Sequence, residues 1–419
     1  MGNILLHGHG VRCGKGSNLK RIRRKTMLPS YYQYYCPVKI LSGKNALDGI
    51  PREMDLLGCK KAMIVTDKGV AGAGLIDIVK DAFKGSQGSI GLIFDEVPPD
   101  SSNRIGNKVA KLFEENHCDC FIAVGGGSSM DTAKGANINL CEDSDDMLKL
   151  QGVENITKDL LPMIFVPTTA GTGSEVTKMA VIYNEEIDAK FAFYSDKLYP
   201  QIAVVDPRMT ATLPPKFTAA TGMDALTHAV EAYTCMQKNP MADAYARFAI
   251  RLIGKYIVRA TKDGHDEEAR LNMANAAVFA GIAFSNANVG MVHAIAHASG
   301  GVCHVPHGIA NSILLPWVLD YNRGMKGIDQ RIAEISGMLG DTGAWMGPYD
   351  QAGVTVSLVR NLLKRLNQLS GMPIRFKDAG VTADKLPVIA KAAINDGAQA
   401  YNPRAVTYDI ALDILKKAF

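Results

Sequence analysis

The sequence predicts an N-terminal α/β domain built on a parallel sheet, followed by an all-α C-terminal domain. Three observations carry this. From about residue 36, short apolar runs alternate with amphipathic stretches, the pattern of strands joined by crossover helices. After LPPKFTAA the β-rich runs stop, and from residue 216 onward helical periodicity dominates. At 419 residues the chain is long enough for two hydrophobic cores. The expected division is a basic extension over 1–34, an α/β domain over 35–212 and a helical domain over 213–419.

Taken in order, CKKAMIVTD (59–67) reads as a strand and LIDIVKDAF (75–83) as a helix. GVAGAG between them is a weak signal and is taken as a loop. SIGLIFDEV (89–97) is a strand and IGNKVAKLFEEN (105–116) a helix. CFIAVGGG (120–127), LPMIFVPTT (161–169) and QIAVVDP (201–207) are further strands. Beyond them, FTAATGMDALTHAVEAYT, MADAYARFAIRLIGKYI, EARLNMANAAVFAGIAF, VSLVRNLLKRLNQL and AVTYDIALDILKKAF carry helical spacing. No internal repeat is evident.

Composition narrows the function classes. The chain is 47% hydrophobic and 21% charged, ordinary for a globular protein, and no apolar run reaches the roughly 20 residues that span a bilayer. Residues 1–30 hold seven Lys/Arg and no acid, so the net charge of +4 comes from this tail. KRIRRK (20–25) could touch an anionic surface, but no aromatic platform or helix-turn-helix pattern supports nucleic-acid binding. The tail reads as a disordered or tag-like extension. No apolar core follows its basic run, so it does not read as a signal peptide. Eight cysteines lack a completed zinc-knuckle spacing around Cys118 and Cys120. They read as small buried hydrophobes in a reducing cytosol, and a cytoplasmic location is expected.

Gly125, Gly126 and Gly127 follow the apolar run FIAV and precede SSMDTAKG. A strand, a glycine turn and a helix start offer free backbone N–H groups to phosphate, to which Ser128 and Ser129 add hydroxyls. The spacing is neither GxGxxG nor a P-loop, and a tight structural turn is the competing explanation. A second loop, PTTAGTGSEVT (167–177), follows another strand with small and hydroxyl residues. Two such loops favour a dinucleotide, making the first domain Rossmann-like. Asp67 ends a strand where a carboxylate would accept from a ribose 2′-OH and repel a 2′-phosphate. It could equally cap a helix before KGVAGAG.

The histidines cluster. HAIAHASGGVCHVPHG (293–308) holds four of the nine in the chain. Asp224 and His228 are four apart in GMDALTHAVEAY, and His293 and His297 repeat the spacing, so each pair shares a helix face. His307 follows in VPHG, far enough on to leave the helix and turn back. One carboxylate with imidazoles makes an N/O site for iron, zinc or a similar divalent ion. Each pair alone could be a buried histidine bonded to a neighbour. Spacing does not decide between His293 and His297 as ligands, nor does it exclude His304.

VGGGSSMDTAKG, PTTAGTGSEVT, GMDALTHAVEAY, FSNANVGMVHAIAHASG and PHGIANSILLP together resemble the group III, iron-dependent alcohol dehydrogenase family. The branch most resembled is that of lactaldehyde/1,2-propanediol and 1,3-propanediol oxidoreductases. The match runs from about residue 35 to NPRAVTYDI (402–410) and nearly to the C-terminus. It implies the dehydroquinate synthase-like fold of that family, an NAD-binding domain and a helical domain holding the metal. The family ligands correspond to Asp224, His228, His293 and His307, bound to Fe(2+) with Zn(2+) as the other candidate. His297 then corresponds to a histidine near nicotinamide and substrate that does not ligate, and His304 to a bystander. Asp67 matches the aspartate associated with NAD preference. The phosphate loops map onto Gly126, Gly127, Ser128, Thr168, Thr169 and Thr172. The resemblance further implies cofactor contacts at Asp131, Val176, Thr177, Lys190 and His297, and places Phe284 beside the nicotinamide.

Three departures stand out. VPPDSSN replaces the family's NPT after the third strand, and Met179 and Ala398 stand where the diol-active relative has Asn and Cys. A more apolar pocket is less suited to a second hydroxyl. The expected activity is NAD(H)-dependent hydride transfer between a small primary alcohol or diol and its aldehyde. The metal would make the alcohol proton more acidic, and His297 would relay that proton to water. A zinc-dependent glycerol or polyol dehydrogenase and a non-catalytic nucleotide-binding protein are the alternatives. Neither a membrane nor a nucleic acid is an expected partner; a homo-oligomer, dimer or larger, is.

Overall fold

The computed structural model describes residues 29–419 apart from 143, 145 and 188. KRIRRK lies outside the described residues, as does most of the basic extension. Among the described residues nine strands come first: β1 (Lys39–Ser42), β2 (Lys61–Val65), β3 (Ser89–Phe94), β4 (Cys120–Gly125), β5 (Gly152–Val153), β6 (Met163–Pro167), β7 (Met179–Asn184), β8 (Ala189–Tyr194) and β9 (Ile202–Val205). The helices among them are α1 (Ile50–Leu56), α2 (Lys68–Gly72), α3 (Leu75–Ala82), α4 (Asn103–Glu115) and α5 (Gly127–Glu142).

Six strands form one parallel sheet in the order β1-β9-β6-β4-β2-β3. The chain runs outward from β2 to β3, then returns to lay β4 on the other side of β2. That reversal opens a crevice at the carboxyl ends of β2 and β4, where parallel sheets bind ligands. Alternation along each strand divides the core. Ile64, Ile122 and Ile164 face one layer, with α1 and α3; Met63, Phe121 and Phe165 face the other, with α4 and α5. Each such fully buried side chain contributes about 1.5–3 kcal/mol.

Several features differ from the sequence expectation; one is β1, whose mostly exposed KILS no apolar run marked. GVAGAG is not a loop: Lys68–Gly72 is α2, with the Asp67 carboxylate accepting from the Val70 amide at 3.0 Å as its N-cap. A second sheet, β5-β8-β7, was missed although β7 alternates strictly between half-buried and buried positions. Its Ile182 and Phe193 close a small core with Ile138 of α5.

The C-terminal part is helical: α6 (Pro215–Thr234), α7 (Pro240–Lys262), α8 (Glu267–Ser285), α9 (Met291–Cys303), α10 (His307–Asn322), α11 (Ile328–Met338), α12 (Pro348–Ser370), α13 (Leu386–Ala393) and α14 (Tyr408–Ala418). Pro215 and Pro240 sit in first turns, where a missing N–H costs nothing, and Asn239 and Thr407 cap α7 and α14. α6 is buried nearly all round, as expected of a central helix rather than a surface one. Among the described residues no helix is long and apolar enough to cross a membrane.

The two parts meet along α8, where Val278 and Ile282 pack on Val176, Ala203 and Val205. Tyr34 belongs to this seam, its ring stacked 6.0 Å from Tyr245. The expected extension over 1–34 therefore runs too far: its last residue is part of the packed structure, because an aromatic face was available to bury it.

Candidate metal and nucleotide site

The histidine cluster is assembled from three helices. Asp224 and His228 lie one turn apart on α6, His293 lies in the first turn of α9, and His307 opens α10. α9 ends at Cys303, and His304 takes the left-handed conformation (φ 54°) that turns the chain back toward α10. Of the six groups the sequence left open, four converge: Asp224, His228, His293 and His307 each bring one ligand-type atom within 4.8 Å of the others. His304 is exposed at the turn. His297 is aimed elsewhere, with Nδ1 2.8 Å from Asp396 Oδ2 and nearly half of its side chain exposed.

Three observations fit a divalent ion among these four residues. His228 Nδ1 is buried with no hydrogen-bond partner, 3.9 Å from Asp224 Oδ2. His307 Nε2 is 3.5 Å from Asp224 Oδ1. Burial lowers the pKa of His228 and, with the neighbouring imidazoles, puts His293 well below its usual range; His307 is pushed down to about 4, chiefly by desolvation. Neutral imidazoles keep the lone pair that a metal requires. His307 is the open side of the cluster, with 39% of its side chain exposed. Phe284 stacks on His228, ring centres 4.3 Å apart, and walls the site.

Two polar residues that sequence spacing did not single out hold this cluster. Glu231 is buried on α6, seven residues after Asp224. Its carboxylate lies 2.6 Å from His293 Nδ1 and accepts from the Gly290 and Val292 amides at 2.9 and 2.7 Å. Burial pushes Glu231 up to about 7, against the pull of these amides. Asn311, fully buried one turn after His307, places Nδ2 2.6 Å from Asp224 Oδ1, 3.2 Å from His293 Nε2 and 3.0 Å from His307 Nε2. Both residues sit at helical intervals from a candidate ligand, the one signal that could have found them. Asp396 had none, being 99 residues from His297.

The loops expected to bind the nucleotide are built mainly from backbone. Gly126, Gly127 and Ser128 are half-buried where α5 begins, leaving first-turn amides free for phosphate. Thr169 and Thr172 face them: a Cβ on Gly126 would lie 3.6 Å from Thr169, and one on Gly127 would lie 3.4 Å from Thr172. Thr168 ties the two loops, its amide donating to the Gly125 carbonyl at 3.0 Å. Asp67 stands beside Gly125 with Oδ1 used as the α2 cap, so the capping role is real; Oδ2 lies on the Gly125 side.

Other residues expected at the cofactor are turned inward. Asp131 accepts from Ser174 Oγ and the Val181 amide, both at 3.1 Å. Val176 is fully buried against Gly281, and the Thr177 hydroxyl lies 3.4 Å from the Ser174 carbonyl. Their side chains shape the second loop instead of facing the cleft. Lys134, which sequence reading passed over, anchors that loop: its buried ammonium donates to the Ser174, Thr177 and Met179 carbonyls at 3.0, 3.0 and 2.8 Å. Burial lowers it to about 8. Gly173 (φ 63°) rests on α8, where a Cβ would come within 2.7 Å of Gly281 Cα. Lys190 pairs with Asp100 of the departing VPPDSSN segment at 2.5 Å.

Cys59, Asp119 and Cys120 also bring ligand-type atoms within 4.8 Å, at the opposite ends of β2 and β4. Both Asp119 oxygens already accept from the Lys60 and Lys61 amides, at 2.7 and 2.9 Å, and burial drives both thiols up. This is a structural tie between strands.

Known proteins resemble the whole described chain. Residues 37–207 match the family model of iron-containing alcohol dehydrogenase, and residues 218–419 match that of the Fe-containing alcohol dehydrogenase family, C-terminal. The 1,3-propanediol dehydrogenase of Citrobacter freundii is 37% identical over 390 residues, covering 93% of this chain and 99% of that one. The NAD-dependent methanol dehydrogenase of Bacillus methanolicus is 35% identical over 385 residues, covering 92% and 99%. The crystal structure of a 1,3-propanediol oxidoreductase superposes with a TM-score of 0.89 at 36% identity, covering 93% and 100%.

Proposed function

The chain belongs to the iron-containing alcohol dehydrogenase family, and from that premise we propose how its own residues carry the reaction and on which substrates. It is an NAD-linked alcohol dehydrogenase whose metal is iron. The observation that carries the assignment of roles is the convergence of Asp224, His228, His293 and His307 within 4.8 Å. These four hold the ion; the domain division at about residue 213 separates them from the nucleotide loops. Bound iron supplies Lewis acidity toward the alcohol oxygen, and the nicotinamide supplies the hydride acceptor.

The remaining steps fall to side chains. Gly126, Gly127, Ser128 and the threonines of the second loop orient the pyrophosphate, and Asp67 Oδ2 takes the adenosine ribose. Phe284 keeps water from the inner wall by covering His228. His297, with its Nδ1 held by Asp396 and its ring open to solvent, carries the alcohol proton outward. Lys190, paired with Asp100, offers its ammonium at the rim of the cofactor cleft. Met179 and Ala398, both half-buried, offer no polar partner to a second hydroxyl, so a simple primary alcohol or its aldehyde is the preferred substrate over a diol. Free cysteines among the described residues support a cytoplasmic location, and the helical part has bulk for a homo-oligomer interface.

The test is anaerobic purification, loading with ferrous ion or zinc, and NADH absorbance against primary alcohols, diols and their aldehydes. His307→Ala serves as control. Iron-dependent turnover lost in the control, with simple alcohols ahead of diols, supports the reading. Turnover that survives metal removal, or in the control, overturns the role given to the four ligands.

A further inference from the structure

We propose that Glu231 is a positioning residue of the metal centre, holding His293 in the one tautomer that can ligate and setting the distance between the two helices that carry Asp224, His228 and His293. The proposal rests on the assignment of those residues as ligands.

The tautomer follows from a chain of donors and acceptors. Asp224 Oδ1 and Asn311 Nδ2 are 2.6 Å apart, and an ionised carboxylate only accepts, so Asn311 presents its NH2 group to the cluster. The same nitrogen lies 3.2 Å from His293 Nε2. An amide nitrogen only donates, and its second N–H is shared between His293 Nε2 and, at 3.0 Å, His307 Nε2; neither ring nitrogen can direct a proton at it, so His293 Nε2 bears the lone pair. The ring proton is then on Nδ1, where it donates to Glu231 Oε2 at 2.6 Å. Glu231 thus leaves the lone pair of Nε2 facing Asp224 and His307 before any ion arrives.

The same carboxylate fixes the helix as well as the ring. α9 begins at Gly290 without a side-chain cap of its own. Glu231 substitutes from α6, accepting from Gly290, Val292 and, at 3.4 Å, His293 amides. A carboxylate at a helix N-terminus is favourably placed, and here it is buried. Since Asp224 and His228 precede it on the same face of α6, one side chain references three ligands to one another. Groups that orient a ligating histidine in this way typically change metal affinity by about 10–100-fold when lost.

The experiment titrates metal-free protein with cobalt(II) against a chelating indicator, comparing wild type, Glu231→Gln, His293→Ala, the double variant and Asp224→Ala. Circular dichroism and thermal melting check each fold. Glu231→Gln is expected to bind cobalt about 10–100-fold more weakly with a changed visible spectrum. The double variant is expected to bind no more weakly than His293→Ala, because the effect passes through that ring. Wild-type affinity in Glu231→Gln overturns the proposal, as does a loss that adds in full to His293→Ala. If Asp224→Ala also binds as wild type does, the ligand assignment has failed instead. A measurement needing no Glu231 variant is the nitrogen-15 histidine spectrum of metal-free wild type, the His293 signal being identified by its loss in His293→Ala. Protonated Nδ1 supports the proposal, and protonated Nε2 overturns it.

Discussion

The two ends of the site are made of different material. At the proposed metal end, four side chains from three helices converge, three of them buried and His307 on the open side, with Glu231 and Asn311 bonded behind them. At the proposed nucleotide end, half-buried glycines and threonines lie on two loops after β4 and β6. The difference follows from the ligands. A divalent ion needs lone pairs fixed in space and free of protons, which buried imidazoles provide. A pyrophosphate needs many weak donors at close approach, which only backbone without side chains allows. A single side-chain change should therefore be decisive at the first end and graded at the second.

The largest expected effect sharpens that contrast. Asp224→Ala removes the carboxylate at the centre of the cluster, and metal content should fall to background while NADH-linked turnover drops roughly thousandfold or more. Metal analysis beside steady-state kinetics checks it; an Asp224→Ala enzyme that keeps its ion would break the comparison.

Gly173→Ala comes next. A side chain there must adopt φ 63° and approach Gly281 Cα to 2.7 Å, so the loop and α8 must separate. The expected cost is about 1–3 kcal/mol, seen as a lower melting midpoint and a raised KM for NAD, with metal content retained. Lys134→Met should act more mildly in the same sense. It frees three carbonyls from one ammonium, loosening the second loop, so KM for NAD should rise more than kcat falls. If instead metal is lost, the two ends are not separable.

The smallest effect is at Asp67. Asp67→Asn keeps an α2 cap and removes the charge, so stability should change by only a few tenths of a kcal/mol. Selectivity, measured as the ratio of kcat/KM for NAD to that for NADP, should fall. An unchanged ratio would leave Asp67 as a helix cap alone.

Much of this was legible in the chain. Strand and helix alternation located five strands of the six-stranded sheet, each with its own apolar run; β1, mostly exposed at the sheet edge, carries none. The i, i+4 pairs on α6 and α9 located the histidine cluster, because a helix carries such spacing directly into space. What spacing could not do was choose His293 over His297. Both share one face of α9, and the choice came from Glu231 drawing one ring inward and Asp396 holding the other at the surface. GVAGAG was misjudged because its glycines and alanines hide a short helix that depends on the Asp67 cap.

By itself, then, the sequence determined the two-part architecture, the glycine loops and the identity of the metal-binding candidates, all of which depend on local periodicity. Only the tertiary structure decided which candidates converge, which cofactor-loop residues turn inward and which uncharged or buried partners hold them. Those outcomes depend on contacts between helices and loops far apart in the chain, and local pattern has no term for where a second helix will place its hydrogen-bond acceptor.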